Sequence, residues 1–238
     1  MSRCIVVIPT YNEAENLPLV VPRILAQGPD LEVVVVDDAS PDGTGQLAND
    51  LADANPRVHV IHRPAKQGLG PAYRAGFARA LELGADLVIQ MDADFSHPPE
   101  KIPEMIAEMG EYDVVLGSRY VHGITVVNWP IERILLSYYG NWYVRKITGL
   151  PIYDTTGGFR CIRRSALEAI GVDRIRANGY AFQMELNYRF VKNGARIKEI
   201  PFFFIDRTRG SSKLTMRIGL ETLWMAWWLR IADLLRRL

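Results

Sequence analysis

The chain has little cysteine, with only Cys4 and Cys161 among its 238 residues. The two lie too far apart for the paired spacing of a zinc site, and they do not form the framework of a small disulfide-stapled domain. The four histidines show no ligand spacing either, which argues against a zinc site. A reducing cytoplasm fits this usage. Cys4 begins an apolar segment and is expected in the core.

Long apolar runs and an excess of one charge are also missing. No segment offers ~18 uncharged apolar residues, so we expect no transmembrane helix. The 28 Lys and Arg residues nearly balance the 27 Asp and Glu residues, and the net charge of +1 gives no signal for nucleic acid. A strand pattern begins at once and leaves no room for a signal peptide. With 48% hydrophobic residues, the chain can bury the core of one domain with an extension.

Two glycine-rich phosphate-binding motifs are absent as well. The turn after the first strand pattern lacks G-x-G-x-x-G, which weakens a dinucleotide-binding interpretation. The G-x-x-x-x-G-K-[ST] loop is also missing, which argues against a P-loop NTPase.

A regular alternation of strand and helix patterns is present and predicts an α/β fold with a mostly parallel, Rossmann-like sheet flanked by helices. The predicted strands are 4–9, 31–37, 58–62, 86–91 and 113–117, with a later one at 195–204. The predicted helices are 13–26, 44–54, 71–83, 99–109 and 179–191. Asn12 is expected to cap the first helix, and Pro71 to take the first position of the third. Beyond about residue 118 the rhythm is lost, and 154–160 is interpreted as a loop of small residues.

Two carboxylates follow the fourth predicted strand. Side chains two apart on an extended segment point the same way, so Asp92 and Asp94 would aim two hard oxygen ligands at one spot. That suits Mg2+ or Mn2+ bound together with nucleotide phosphates, at the strand ends where open α/β sheets bind ligands. Taken alone, so short a pattern is more often a polar loop. A further acid, Asp38, follows strand 31–37, where nucleotide-binding folds meet a ribose or a base.

The C-terminal residues 214–238 predict an amphipathic helix. Large apolar residues recur there at helical spacing, while charges interrupt any run long enough to span a bilayer. The apolar positions are Leu220, Leu223, Trp224, Trp227, Ile231, Leu234 and Leu235. Tryptophans and terminal arginines suit a helix that lies in the membrane interface. Packing on the domain or on a partner chain is an equal alternative.

A set of ordered motifs carries a resemblance to a known family. The motifs are Ile8-Pro-Thr-Tyr-Asn-Glu13, Val36-Asp-Asp-Ala-Ser-Pro-Asp-Gly-Thr44, Gly68-Leu-Gly70, Met91-Asp-Ala-Asp-Phe-Ser-His-Pro98, Gly117-Ser-Arg-Tyr120, Trp129-Pro130 with Arg133 and Ser137, Asp154-Thr-Thr-Gly-Gly-Phe-Arg160, Tyr180-Ala-Phe-Gln-Met-Glu185 and Asp206-Arg-Thr-Arg-Gly-Ser-Ser-Lys213. Over about residues 3–215 the chain resembles family-2 glycosyltransferases of GT-A fold. More narrowly, it is similar to dolichol-phosphate (polyprenol-phosphate) mannose synthases.

The resemblance implies an enzyme with a catalytic domain at 1–213 and the helix at 214–238 as an extension. Its implied reaction is the inverting transfer of mannose from GDP-mannose to the phosphate of a polyprenyl (dolichyl) phosphate. The cofactor would be Mg2+ or Mn2+, and the enzyme would be peripheral on the cytoplasmic face of a membrane. A homo-oligomer or a membrane-anchor partner remains open.

The resemblance also implies roles for single residues. The donor nucleotide would be bound by Pro9, Tyr11, Glu13, Asp38, Asp92, Ala93, Asp94, Arg207 and Lys213. The acceptor phosphate would be bound by Arg119, Arg133 and Ser137. The metal ligands would be Asp92, Asp94 and Ser96. The catalytic set would be Asp92, Asp94, Arg119 and Arg133.

The chemistry can be argued from the reactants alone. A departing nucleoside diphosphate gathers negative charge, which a divalent ion on the two carboxylates would stabilise. A phosphate monoester has a second pKa of ~6, so the acceptor is already an anionic nucleophile at neutral pH. The site therefore needs to position it, which arginine forks do well, and a strong base is not required.

Several alternatives stay open at the level of sequence. The donor could be UDP-glucose or another UDP-sugar, or the chain could be a non-catalytic nucleotide-sugar-binding subunit, although the intact metal and acceptor motifs argue against the latter. Glu185 could orient the site or be a buried structural acid. Asp154 is compatible with a turn or cap residue, and His97 with a peripheral contact.

Overall fold

The computed structural model describes residues 3–205 and 216–235. Arg207 and Lys213, which were predicted to bind the donor, lie outside the described residues.

Most of the predicted strands are present, and further ones appear in the second half of the chain. In order they are β1 (Cys4–Thr10), β2 (Leu31–Asp37), β3 (Val58–His62), β4 (Leu87–Gln90), β5 (Val114–Ser118), β6 (Val126–Val127), β7 (Arg160–Arg163), β8 (Ile197–Pro201) and β9 (Phe204–Ile205). The region predicted as one strand at 195–204 is thus divided between β8 and β9. Its two strands join different sheets.

The helices follow the expected alternation in the first half of the chain. In order they are α1 (Leu17–Leu25), α2 (Thr44–Ala54), α3 (Leu69–Glu82), α4 (Ile102–Glu108), α5 (Ile131–Thr148), α6 (Arg164–Ile170), α7 (Gly179–Lys192) and α8 (Met216–Leu234). Short 3-10 turns cover Pro99–Lys101 and Val172–Arg174. No helix within 3–205 or 216–235 is both long and apolar enough to cross a membrane.

The central sheet has the strand order β3-β2-β1-β4-β7-β5-β8, and β6 pairs with β9 in a separate ribbon. In the central sheet, neighbouring strands are parallel except at β7, which runs antiparallel to both β4 and β5. This insertion was not predicted, because residues 154–160 were interpreted as a loop and β7 is only four residues long. It places the loop before Arg160 beside the carboxyl ends of β4 and β5, the edge that carries the candidate site.

Alternate residues of the strands face two helical layers, as the pleat of a strand requires. Val6 and Ile8 of β1 face the layer of α1, α2 and α4, whereas Ile5 and Val7 face the layer of α3, α6 and α7. Both layers are apolar at their centres, so the strands are buried on two sides, as is usual for parallel sheets.

The first helix begins later than predicted, at Leu17, and Asn12 is not its cap. Asn12 has a positive φ of 61°, in the left-handed region. The backbone N–H groups that follow β1 bind the loop after β2 instead: Asn12 N donates to Ser40 Oγ at 3.1 Å, and Ala14 N to Asp42 Oδ2 at 3.1 Å. These bonds delay the helix and join two loops at the site edge.

Pro71 occupies the third position of α3, and not the first, since the helix begins at Leu69. A proline is tolerated there because the first four N–H groups of a helix have no partner within it. The neighbouring Gly70 N donates to Asn178 Oδ1 at 2.9 Å, which fixes the start of α3 against the start of α7.

The C-terminal helix is confirmed as α8, and it packs on α5 and α7. Its buried residues are Met225, Ala226, Leu229 and Ala232. Apart from Leu220, whose side chain is not described, the predicted apolar positions lie on the exposed side: Leu223, Trp224, Trp227, Ile231, Leu234 and Leu235. Large apolar side chains thus occur on both the buried and the exposed side of α8, and a polar face opposite an apolar one is not shown.

Gly76 tests the contact between α3 and β1. A Cβ at Gly76 would lie 2.2 Å from Val7 Cγ1, whereas a Cβ at Gly140 of α5 would meet nothing within 4 Å. We expect Gly76→Ala to lower the free energy of unfolding by about 1–3 kcal/mol through overpacking. The matched Gly140→Ala should leave it unchanged or raise it by about 0.5–1 kcal/mol. Urea unfolding measures both, and equal effects would contradict the packing assigned to α3.

Candidate active site

The predicted carboxylate pair lies in a turn just past β4. The strand ends at Gln90, and residues Ala93–His97 form a bend, so a turn and not an extended segment presents Asp92 and Asp94. Both residues are partly exposed. Ser96 N donates to Asp94 Oδ1 at 3.1 Å, which fixes that carboxylate against the turn. Direct ligation of a metal by the Ser96 hydroxyl stays a prediction.

The buried His97 side chain is hydrogen-bonded to the backbone of this turn. It is 3% exposed, and its Nδ1 accepts a hydrogen bond from Asp92 N at 3.0 Å. Burial lowers the pKa of His97, against the opposing charges of Asp92 and Asp94. A neutral imidazole with Nδ1 as acceptor fits both observations. The sequence had assigned His97 only a peripheral contact, because nothing in the motif revealed that its ring is buried.

Tyr73 and Arg160 also interact with Asp92. The Tyr73 hydroxyl donates to Asp92 Oδ1 at 2.8 Å, and burial together with the Asp92 charge raises the pKa of Tyr73 well above its usual value. The Arg160 side chain is fully buried, and burial lowers its pKa to about 9. Its Nη2 donates to Gly157 O at 2.6 Å. Both groups therefore keep their protons at neutral pH, one as a donor and one as a positive charge near Asp92.

Arg119 forms a buried bidentate ion pair with Asp154. Its Nε donates to Asp154 Oδ2 at 2.6 Å and its Nη2 to Asp154 Oδ1 at 2.7 Å, with side chains 7% and 0% exposed. Burial would raise the pKa of Asp154, but the charge and hydrogen bonds of Arg119 outweigh it and hold the pKa below its usual value. Asp154 is therefore more than a turn residue, because it orients the predicted acceptor-binding arginine.

The loop that carries Asp154 is itself held by side chains. Glu199 on β8 accepts from Asp154 N at 2.9 Å and from Tyr153 N at 2.6 Å, and burial raises its pKa. Asn141 on α5 accepts from Thr155 N at 2.7 Å. These bonds tie the loop to the sheet on one side and to α5 on the other.

The other predicted acceptor residues lie on α5, near Arg119. The Arg133 guanidinium lies 3.9 Å from the Trp129 ring centre, and the Tyr120 hydroxyl donates to Ser137 Oγ at 2.6 Å. Arg133 and Ser137 are one helical turn apart and share a face of α5.

Aromatic rings connect this group with the carboxylate turn. Phe204 lies 5.3 Å from Trp129 and 6.3 Å from His97, between ring centres, and the Arg119 guanidinium lies 5.4 Å from the Phe204 ring. Three of the four predicted catalytic residues, Asp92, Arg119 and Arg133, thus border one cluster of rings, and Asp94 follows Asp92 in the turn.

The predicted nucleoside residues gather at the ends of β1 and β2. Asp38 is paired with Arg63, and the Lys66 amine lies 3.6 Å from the Tyr11 ring centre. Glu13 Oε2 accepts from Asn16 at 2.8 Å, and the Glu13 backbone N–H donates to Thr44 Oγ1. Pro9 is the second-last residue of β1 and pairs with Val36 of β2.

Glu185 is a structural acid. It is fully buried on α7 and accepts from Arg189 at 2.8 Å and from the backbone N–H groups of Arg176 and Ala177 at 3.2 and 3.0 Å. Its carboxylate is therefore occupied by the loop before α7.

The donor set at the turn fits a magnesium or manganese ion that is shared with phosphates. Asp92 and Asp94 are hard oxygen ligands, and Tyr73 and Ser96 each bond to one carboxylate without enclosing it. In the described part of the chain, no cluster of three or more His, Cys, Asp or Glu side chains could hold an ion by itself. Mg2+ is commonly bound by one or two carboxylates plus substrate phosphates and water.

Comparison with known proteins gives one family. Residues 5–171 match the family described as "Glycosyl transferase family 2". The undecaprenyl-phosphate mannosyltransferase of Micrococcus luteus is 46% identical over 213 residues, which cover 90% of this chain and 88% of that protein. The polyprenol monophosphomannose synthase of Mycolicibacterium smegmatis is 47% identical over 216 residues, which cover 90% and 82%.

Solved structures confirm the predicted GT-A fold class. Glucosyl-3-phosphoglycerate synthase of Mycobacterium tuberculosis, in complex with Mn2+, UDP and glucosyl-3-phosphoglycerate, aligns with a TM-score of 0.65 at 19% identity, covering 99% of this chain and 80% of that one. A mannosyltransferase of Pyrobaculum calidifontis in complex with GDP-Man and Mn2+ aligns with a TM-score of 0.58 at 19% identity, covering 99% and 74%.

The buried ion pair can be tested by a double-mutant cycle. Removing one partner leaves an uncompensated buried charge, so Asp154→Asn and Arg119→Met should each lower the free energy of unfolding by about 3–5 kcal/mol. The double variant should lose clearly less than the sum of the two. Asp50→Asn, at an exposed acid of α2, should change stability by less than about 0.5 kcal/mol. Additive losses in urea unfolding would show that the two side chains do not depend on each other.

Proposed function

The chain belongs to glycosyltransferase family 2, and on that basis we propose that it transfers mannose from GDP-mannose to the phosphate of a polyprenyl phosphate, with inversion at the sugar carbon. The product would be a polyprenyl phosphate mannose. The observation that carries the proposal is a single edge of the sheet where a carboxylate turn meets a fixed arginine across shared aromatic rings. The two curated relatives are identical at nearly half of their aligned positions, and their names give undecaprenyl phosphate or polyprenol together with mannose.

The donor would lie on the carboxylate side. Asp92 and Asp94 would hold a divalent ion, which when bound would supply charge neutralisation to the leaving diphosphate. Tyr73 and His97 keep the turn in place through the Asp92 side chain and backbone. Orientation of this kind avoids reorganisation during the reaction, which is where electrostatic stabilisation gains its effect.

The acceptor phosphate would lie on the arginine side. Asp154 fixes the plane of the Arg119 guanidinium, and Arg133 and Ser137 offer further donors from α5. With a second pKa of ~6, the phosphate oxygen is already ionised and needs no strong base. Alignment of such a pair can supply roughly 7–11 kcal/mol of the barrier. A direct displacement by that oxygen inverts the sugar carbon and forms no sugar–enzyme bond.

We further propose that the protein is peripheral on the cytoplasmic face of a membrane, because its acceptor is a lipid. Two packed helices expose apolar side chains next to the acceptor residues, and Trp227 Nε1 donates to Tyr143 at 2.8 Å across their contact. The exposed apolar residues of α5 are Ile131, Leu135, Leu136, Tyr138, Tyr139 and Trp142. We call these and the exposed residues of α8 the two-helix apolar surface. It has the tryptophan content of helices that lie in the lipid interface.

The first test is a transfer assay with a panel of donors. Purified protein is mixed with Mn2+, a short-chain polyprenyl phosphate and labelled GDP-mannose or UDP-sugars. We expect label from GDP-mannose to enter the lipid phase. Asp94→Asn should lower the rate by about 100-fold or more, since it removes one carboxylate that would hold the ion that neutralises the leaving diphosphate. Asp50→Asn serves as the matched control and should keep the wild-type rate.

The acceptor half is separated from the donor half in the same assay. Arg133→Met should raise the KM for polyprenyl phosphate while the affinity for GDP changes by less than about twofold. Transfer from a UDP-sugar alone would refute the proposed donor. Binding of nucleotide sugars without any transfer would indicate a non-catalytic subunit.

The second test concerns the membrane. Truncating α8 would uncover buried residues of the domain, so substitution on its exposed side is the cleaner change. The combined variant Trp224→Ser, Ile231→Ser and Leu234→Ser should bind liposomes at least about 10-fold more weakly, because it removes apolar area that lipid would cover. Leu19→Ser, at a leucine of α1 that is 58% exposed, is the matched control.

Flotation with liposomes measures this binding. The proposal is wrong if the wild-type protein stays off liposomes. If the combined variant then also changes the oligomeric mass, the surface is a contact with another chain.

A further inference from the structure

A second buried ion pair lies at the end of β2, on the nucleoside side of the site. Arg63 Nη1 donates to Asp38 Oδ1 at 2.5 Å, and the two side chains are 8% and 7% exposed. The resemblance named Asp38 as a donor ligand but gave no role to Arg63. Because Arg63 is bonded to Asp38, a nucleobase at this position would meet N–H donors of Arg63 as well as the carboxylate oxygens of Asp38.

The pair is fixed by further bonds. Gln67 N donates to Asp38 Oδ2 at 3.3 Å, and Arg63 Nη2 donates to Gln67 Oε1 at 2.7 Å. Asp38 N donates to Thr10 O at 3.0 Å, and Arg63 N donates to Asp37 O at 2.8 Å. The backbone bonds fix both residues at a strand end, and the side-chain bonds hold the carboxylate and the guanidinium against each other and against Gln67.

The pair borders an open rim. Residues 64–67 are exposed. Lys66 in this segment lies over the Tyr11 ring. Tyr11 directly follows Thr10, whose carbonyl oxygen accepts from Asp38 N, so Tyr11 and the pair lie at neighbouring strand ends. In folds of this kind, the strand ends are where a nucleotide binds. A flat base packed at Tyr11 would meet the pair with its polar edge.

The bonds in place leave both groups with capacity to spare. A carboxylate has about four lone-pair sites, and Asp38 uses two of them in the described part of the chain. A guanidinium has five N–H donors, and there Arg63 uses two. The pair can thus offer further Arg63 N–H donors beside about two remaining lone-pair sites of Asp38.

We propose that the Asp38–Arg63 pair selects guanine over uracil, with Arg63 donating to O6 and Asp38 accepting from N1–H and N2–H. Guanine presents an acceptor followed by two donors along this edge, which matches the order of the pair. Uracil presents an acceptor, a donor and a second acceptor, so one carboxylate oxygen would face a carbonyl oxygen. The inference deepens the proposed function, on which it rests for the presence of a nucleotide-sugar donor at this edge.

Two analogues of guanine separate the contacts. Hypoxanthine lacks the 2-amino group, and xanthine carries a second carbonyl in its place. Calorimetry with Mn2+ should show that wild-type protein binds GDP about 10- to 100-fold more tightly than inosine diphosphate, the value of one hydrogen bond to a charged group. UDP and xanthosine diphosphate should bind more weakly still, since they place an oxygen against Asp38.

Substitutions then assign the contacts to the two residues. Asp38→Asn replaces one acceptor by an amide donor, so it should weaken GDP and strengthen xanthosine diphosphate, which reverses their order. Arg63→Met should weaken GDP, inosine diphosphate and xanthosine diphosphate by similar factors of about 10 or more, since all three share O6. Asp50→Asn is the matched control and should keep the wild-type order. A thermal unfolding midpoint for each variant shows whether it has folded.

The outcomes separate this inference from the proposed function. Equal affinity of wild-type protein for GDP and inosine diphosphate would overturn the inference, as would a folded Asp38→Asn variant that loses affinity for all bases alike. Mannosyl transfer from GDP-mannose could continue in either case. Conversely, if the nucleoside diphosphates bind in the expected order of affinity but no mannose is transferred, the role of the Asp38–Arg63 pair is supported and the proposed reaction is refuted.

Discussion

The bidentate ion pair between Arg119 and Asp154 is the contact on which the second half of the structure depends. Both side chains are nearly or fully buried, and an ion pair withdrawn from water is tolerated only when geometry and further hydrogen bonds compensate for desolvation. The compensation comes from separate elements: Glu199 on β8 and Asn141 on α5 bond to the backbone of the Asp154 loop. The orientation of Arg119 therefore depends on a strand, a helix and the loop before the antiparallel strand.

The polar groups around the carboxylate turn are also buried and hydrogen-bonded, but two of them are neutral. Tyr73, His97 and Arg160 are buried around Asp92, and the shifts in their pKa values favour the neutral hydroxyl and the neutral imidazole. Arg160 keeps a positive charge near Asp92 even though burial lowers its pKa to about 9. The turn thus rests on groups that do not change their charge at neutral pH. Glu185, by contrast, uses its carboxylate for the backbone before α7 and for Arg189, and has no part in this arrangement.

The sequence predicted the parallel half of the sheet well, because buried strands and helices there are long enough to show their periods. Strands β2 and β3 and helix α2 have the predicted bounds. Prediction failed at β7, whose four residues begin and end with arginine and whose pairing partners are distant in sequence. The same cause hid parts of the site. Asp92, Arg119 and Arg133 were found through motifs, whereas the roles of Tyr73, His97 and Asp154 depend on contacts that only the folded chain creates. The prediction that Asn12 caps the first helix was wrong for a related reason, since its backbone N–H is bonded to Ser40 in a neighbouring loop.

Helix α5 combines two properties that are usually separate. Its inner side holds Asn141 and Val144 against the domain, and Arg133 and Ser137 on it lie near Arg119. Its outer side exposes Leu135, Tyr139 and Trp142, which follow one another at helical spacing. A lipid whose phosphate met the arginines would have its chain leaving along this helix, because the apolar surface begins within one turn of Ser137. Placing the lipid phosphate at the depth of the headgroups would then also place α5 in the membrane interface. The packing of α8 on α5 widens the apolar surface without covering it, so α5, which carries the predicted acceptor residues, and α8, which extends its apolar side, form a single structural unit.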